Sequence, residues 1–214
     1  MKVLNLYACL GGNRYKWDEV TDVEVTAVEW DEELARMYQE RFPNDTVIVA
    51  DAHQYLLDHY KEFDFIWSSP PCPSHSKIRI SQKSRTTFRA VYPDMKLYEE
   101  ILLLDNYFNG KYCVENVTPY YKPLIPAKKR GRHLYWTNFN LPSNINERKY
   151  EGVFCAGTGE HKLLEEFHDI KVSAGIGGYR DVLRNLVDYE AGRTILETAV
   201  GIIRKQNVLQ TELF

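Results

Sequence analysis

The sequence predicts an α/β fold built on an open, mostly parallel sheet, and three observations lead there. Short apolar, β-branched runs alternate with stretches of helical spacing over residues 1–139. Each run closes on, or delivers, a residue able to do chemistry: Tyr7, Glu29, Asp51, Cys72 and Glu115. Parallel sheets bind their ligands beyond the carboxyl ends of the strands, so this placement is the expected one. The first run also leads into Gly11-Gly12, a glycine turn of the kind that opens a nucleotide-binding crevice.

The elements follow in order. Val3 to Tyr7 is the first strand and Val23 to Glu29 the second. Asp31 caps a helix that carries Leu34, Met37 and Tyr38 at helical spacing and stops before Pro43. Thr46 to Ala50 is a third strand, ending at Asp51, and a helix from Ala52 to about Tyr60 precedes the strand Phe63 to Trp67. Pro93 and Asp94 open a long helix through Leu97, Ile101, Leu102 and Leu104 to about Phe108, closed by Gly110. Lys111 to Val114 is a strand leading into Glu115-Asn116-Val117, and His133 to Phe139 is one more. From Asn140 to Arg180 glycines accumulate and the pattern loosens into an irregular lobe with long loops. A final helix spans about Tyr189 to Asn207 with Leu196, Ala199, Val200 and Ile203. The chain therefore divides into an α/β domain over 1–139, a small lobe over 140–185 and a helix over 186–214 that returns to the domain.

Composition narrows the function. A hydrophobic share of 44% with 27% charged residues is that of a globular chain, and no apolar run is long enough to span a membrane. The first strand begins without a charged-then-apolar leader. The cysteines Cys9, Cys72, Cys113 and Cys155 never form C-x-x-C pairs, which predicts reduced thiols and a cytoplasmic location. Cys72 and His75 lack a second pair at metal-ligand spacing, so no metal is expected. The net charge of −3 argues against indiscriminate coating of nucleic acid. Ten of the 27 basic residues nevertheless fall in two acid-free windows. One holds Lys77, Arg79, Lys83, Arg85 and Arg89; the other holds Lys122, Lys128, Lys129, Arg130 and Arg132.

Pro70-Pro71-Cys72-Pro73 concentrates the chemistry. Free cysteine is most often a small buried hydrophobe. Here the prolines hold the backbone extended and stiff, and the first basic window should favour the thiolate, so a nucleophile presented at a strand end stands beside structural burial as a reading of Cys72.

Taken together and in linear order, these residues resemble the DNA cytosine-5 methyltransferase family. Tyr7-Ala8-Cys9-Leu10-Gly11-Gly12 is similar to the family's Phe-Ala-Gly-x-Gly-Gly motif, which binds S-adenosylmethionine. Glu29-Trp30 resembles the acid that holds the ribose hydroxyls and the tryptophan that stacks on adenine. Asp51, followed by Ala52, falls where the family reads the adenine amino group. Pro71-Cys72 matches the catalytic Pro-Cys, and Glu115-Asn116-Val117 is the Glu-Asn-Val motif unaltered. Arg130-Gly131-Arg132 resembles the Arg-x-Arg motif near the target base, and Thr198 sits where the last motif returns a helix to the cofactor pocket. Departures are Cys9 for a glycine, Pro73 and Lys128 for glutamines, Thr198 for an asparagine, and a target-recognition region that is unusually short.

The resemblance implies a Rossmann-like S-adenosylmethionine-dependent methyltransferase fold and C5 methylation of a flipped-out cytosine in double-stranded DNA. Cys72 would add to C6, Glu115 would serve N3, and Arg130 and Arg132 would bind the base carbonyl and a phosphate. Ser76, Lys77, Arg79, Lys83, Arg85, Arg89 and Lys128 would meet the nucleic acid, those from Ser76 to Arg89 on a loop that closes over it. Two alternatives stay open: the same chemistry on RNA, or a weakly active nucleic-acid-binding subunit of this fold. The short recognition region leaves a homodimer or an accessory subunit open as partner, and a solitary phage- or prophage-encoded modification enzyme as setting.

Overall fold

Alternation within each strand sorts its side chains to two faces and so builds a three-layer molecule. The computed structural model describes residues 1–81, 89–150, 159–172 and 179–202. Expectations for Lys83, Arg85, Cys155 and the helix beyond Ile202 lie outside these residues. The sheet has seven strands in the order β3-β2-β1-β4-β5-β7-β6. They are β1 (Lys2–Leu6), β2 (Glu24–Glu29), β3 (Thr46–Val49), β4 (Phe65–Ser68), β5 (Lys111–Val117), β6 (Lys128–Arg130) and β7 (His133–Thr137). The first five run parallel, and β7 is antiparallel to both β5 and β6. This is a mostly parallel, Rossmann-like α/β sheet.

The helices are α1 (Glu32–Arg41), α2 (Ala52–His59), α3 (Ile78–Ser81), α4 (Lys96–Tyr107), α5 (Gly159–His168), α6 (Tyr179–Asn185) and α7 (Tyr189–Ala199). Leu4, Leu6, Ile66, Tyr112 and Val114 face α2 and α4 on one side of the sheet. Val3, Phe65, Trp67 and Cys113 face Trp17 and α7 on the other, where Trp17, Phe65 and Trp67 meet ring to ring. Each such buried aromatic contributes about 2 kcal/mol of transfer free energy. Both caps form as the carboxylates suggest: Asp31 accepts from Glu33 and Leu34 N–H, and Asp51 from Gln54 N–H.

Four expectations need correction. Glu115 lies inside β5 and not beyond it, because β7 pairs with β5 as far as Val117 opposite His133. Lys128–Arg130 is a strand, held by β7 despite having no apolar residue. The 140–185 lobe contains α5 and α6, whose Leu164 and Leu183 pack with Val172 and Leu186 on Leu10. In α4, Leu102 points to solvent while Glu100 takes a place in the buried stripe of Leu97, Tyr98, Ile101 and Leu104.

Strand order places the crevice. The chain winds outward from β1 through β2 to β3, then crosses back to β4 beside β1, so the carboxyl ends of β1 and β4 diverge at a topological switch point. Leu6 and Ser68 are paired in register there, which sets Tyr7 and Ser69 side by side at its mouth.

Candidate active site

A cavity of about 810 Å3 opens above these strand ends, and Tyr7, Glu29, Asp51, Cys72 and Glu115 all line it. One half is built by the turn after β1. Tyr7 and Cys9 adopt left-handed backbone conformations, at φ 56° and 48°, which cost non-glycine residues energy and bend the chain sharply. The bend aims the Cys9 N–H at Glu29 Oε2, 2.8 Å away. Glu29 Oε1 accepts from the N–H groups of Trp30 and Asp31 at 3.0 and 3.1 Å. Burial pushes the Glu29 carboxyl up, against the pull of these backbone donors. Trp30 leaves its indole 78% exposed at the cavity rim. Asp51 is held below the usual carboxylate range, first by the Gln54 N–H and then by Lys96, so it caps α2 and lines the cavity at once. Ala8, Cys9, Gly12, Ala52 and Pro71 also line the cavity. The Cys9 thiol is pushed up to about 12 by burial and by Glu29, which leaves it inert at neutral pH.

The other half joins β4 to β5. Asn116 donates from Nδ2 to the Pro70 carbonyl at 2.9 Å, fastening the Pro-Pro segment to the strand that carries Glu115. Beyond Cys72 the chain turns back, with His75 and Ser76 N–H groups donating to the Cys72 carbonyl. The Tyr120 N–H then donates to the His75 carbonyl and anchors the turn behind β5. Cys72 is half-buried between these attachments.

Its acidity departs from the expected direction. Burial raises the Cys72 thiol, Glu115 raises it further, and its own backbone N–H and Arg132 oppose them. Among the described residues of the basic window after Cys72, Lys77 and Arg89 project into solvent and Arg79 donates to the Arg89 carbonyl. Arg132 lines the cavity, with Nη2 donating to the Arg184 carbonyl at 3.0 Å.

Several predicted residues stand elsewhere. Arg130 turns away from the cavity and donates to the carbonyls of Leu141 and Pro142. Lys128 is used up inside the fold, its ammonium bonded to the Thr137 and Phe139 carbonyls and the Thr137 hydroxyl. Thr198 donates to the Thr194 carbonyl within α7, away from the cavity lining. Leu10 is buried against the lobe, and Gly11, at φ +68°, lies against Tyr38 and Phe42. Ser76 and Lys77 lie on the turn at the start of α3.

Two residues escaped sequence reasoning. His133, buried at the start of β7, lies 3.6 Å from Glu115 Oε1 through Nε2 and 3.4 Å from Glu147 Oε1 through Nδ1. Its position next to Arg132 was the only available signal. Glu100 is fully buried and bonded to Tyr7, Ser68 and His53. Nothing in the α4 sequence distinguishes it from a solvated glutamate such as Glu99. Among the described residues no three His, Cys, Asp or Glu side chains converge as a metal site would require.

Comparison with known proteins adds a family. Residues 1–102, just under half of the chain, match the family of C-5 cytosine-specific DNA methylases. The match takes in the glycine turn, Glu29-Trp30, Asp51 and Pro71-Cys72, and ends before Glu115. No curated protein matches the chain. Among solved structures, the presumed methyltransferase yhhF of Escherichia coli is 16% identical, covers 64% of this chain and 73% of its own, and has a TM-score of 0.44. A variant of DNMT2 from Spodoptera frugiperda is 24% identical over 54% of this chain and 35% of its own, at a TM-score of 0.38. The methyltransferase EhMeth of Entamoeba histolytica is 15% identical over 55% of this chain and 38% of its own, at 0.37.

Proposed function

We propose that this chain, whose first 102 residues carry the C-5 cytosine-specific DNA methylase match, transfers a methyl group from S-adenosylmethionine to C5 of cytosine in DNA. The observation that carries the reading is the single cavity shared by Cys72, Glu115 and Arg132 at one end and by Tyr7, Glu29, Trp30 and Asp51 at the other.

The second set fits the cofactor. Glu29 accepts three backbone donors, and a carboxylate offers about four lone-pair sites, so capacity remains for a ribose hydroxyl. The exposed Trp30 indole offers a face for adenine, and Asp51 an acceptor for its amino group. When bound, the cofactor supplies an electrophilic methyl group on a sulfonium.

Cytosine C5 is a poor nucleophile until the ring is activated. The Cys72 sulfur forms a bond to C6, electron density moves toward N3, and Glu115 delivers a proton there. The raised Cys72 thiol makes the two events interdependent. In the free protein burial first, and then the Glu115 charge, hold the proton on sulfur. As the base docks, the thiol proton passes by way of Glu115 to N3, so the sulfur bonds to C6 as N3 is protonated, with the Arg132 charge favouring the thiolate that forms in between. The activated C5 would then take the methyl group, whose bond to the sulfonium breaks and leaves a neutral thioether, after which a base takes the C5 proton and the C6–S bond breaks to return the Cys72 thiolate. Reaching C6 in a duplex requires the cytosine to leave the stack, at a cost of a few kcal/mol. Lys77 and Arg89 are exposed, and their charges are available to backbone phosphates.

Incubation with methyl-labelled S-adenosylmethionine and either duplex DNA or tRNA tests the reading. Label should enter cytosine C5 of the DNA and disappear in Cys72→Ser. Incorporation into tRNA alone would contradict it.

A further inference from the structure

Glu100 is a carboxylate in the middle of an aliphatic stripe, and burying one without partners costs several kcal/mol. It is 0% exposed, while its neighbours along the buried face of α4 are Leu97, Ile101 and Leu104. An alanine or leucine there would suit packing better, so its partners hold the explanation. Tyr7 Oη donates to Glu100 Oε1 at 2.6 Å and Ser68 Oγ donates to Oε2 at 2.5 Å. His53 Nδ1 meets Oε1 at 3.1 Å. Each partner belongs to a different part of the site. Tyr7 lines the cofactor half of the cavity in a left-handed conformation. Ser68 is the last residue of β4, from which Ser69-Pro70-Pro71 leads to Cys72. His53 lies one residue beyond the cavity-lining Ala52, in the first turn of α2.

We infer that Glu100 is a positioning residue that couples the cofactor half of the cavity to the segment presenting Cys72. The inference rests on the reading of the cavity as a methyltransferase site. Its physical basis is that the two oxygens of one rigidly packed carboxylate are shared between the two halves. A shift of Tyr7 on filling the cofactor half is transmitted through Oε1 and Oε2 to Ser68, and from there along a stiff proline segment. Coupling of this kind is reciprocal: whatever the cofactor does to the β4 end, the β4 end does to cofactor affinity. Ser68 makes the test clean, because it is buried, does not line the cavity and touches no ligand.

The experiment compares wild type, Ser68→Ala, Tyr7→Phe, Glu100→Gln and the two double variants. Two quantities are read: the dissociation constant for S-adenosylmethionine by calorimetry, and the rate of covalent adduct formation with 5-fluorocytosine duplex DNA at saturating cofactor. Far-UV circular dichroism confirms folding. Ser68→Ala should weaken cofactor binding by about fivefold or more, the low end of typical site-to-site coupling. Tyr7→Phe should slow adduct formation by a similar factor after its own loss of cofactor affinity is saturated out. Neither substitution should add to its effect in the Glu100→Gln background. A folded Ser68→Ala with unchanged cofactor affinity, or effects that multiply independently of Glu100, would overturn the coupling while leaving the methyltransferase reading intact. If Ser68→Ala does not fold, the Tyr7→Phe rate decides: a wild-type rate rejects the proposal. A wild type that neither binds the cofactor nor forms the adduct would sink both readings.

Discussion

Cys72 and Glu115 oppose each other's charge in the free protein, and Arg132 sits as the counterweight. Removing the acid should therefore make the thiol more reactive even as it disables methyl transfer. Glu115→Gln is expected to speed iodoacetamide alkylation of Cys72, read by peptide mass spectrometry at fixed pH, because one of the causes that raise the thiol is removed. Arg132→Ala should slow it. Equal rates in all three proteins would remove the electrostatic account. His168 gives a second prediction at this scale. It is buried, and its pKa falls to about 4 through burial and then Arg148, Arg41 and Arg132. The unfolded chain takes up that proton near pH 6.5 and the folded one does not, so this stability is present above 6.5 and lost as pH falls toward 4. The loss by pH 5 should be about 2 kcal/mol. The pH dependence of the urea midpoint should flatten by that amount in His168→Gln. Residue identities were legible where chemistry demands an unusual neighbour, as at Pro71-Cys72 and Glu115-Asn116. Glu100 and His133 were illegible because burial alone turns an ordinary glutamate or histidine into a site residue.

The elements hold the site by close approach of backbones. Helix α7 crosses the turn after β1 at Gly192, where a Cβ would stand 2.2 Å from the Asn13 carbonyl oxygen. Asn13 lines the cavity and donates to Asn5 Oδ1 at 2.8 Å, so α7 braces the turn after β1 from behind. Gly192→Ala should push the helix off, lowering stability by roughly 1–3 kcal/mol in thermal denaturation. It should also weaken cofactor binding; a variant with wild-type stability would show that the approach is not tight. This bracing is what replaces the predicted contact through Thr198. Core strands β1, β2, β4 and β5 were legible from apolar runs bounded by polar ends. The basic β6 was not, since only its pairing with β7 makes it a strand. Nor were α5 and α6, whose short apolar faces are set among glycines and close against Leu10, Leu34 and Met37.

At the scale of the whole molecule, strand order brings five distant segments to one cavity. The fold was legible because each segment ends in a chemically distinct residue. Side-chain direction was not, and it separates Arg132, which lines the cavity, from Arg130, which binds the Leu141 and Pro142 carbonyls. On the proposed reading, the net charge of −3 assigns DNA affinity to local basic surface such as the exposed Lys77 and Arg89, and not to a general attraction. What the assembled cavity is for can be tested in one reaction. Duplex DNA containing 5-fluorocytosine, incubated with the protein and S-adenosylmethionine, should yield a denaturant-resistant complex linked through Cys72, because fluorine at C5 cannot leave as a proton. The account predicts a cofactor-dependent adduct that is absent in Cys72→Ser. No adduct from the wild type, or one that survives the substitution, would contradict it.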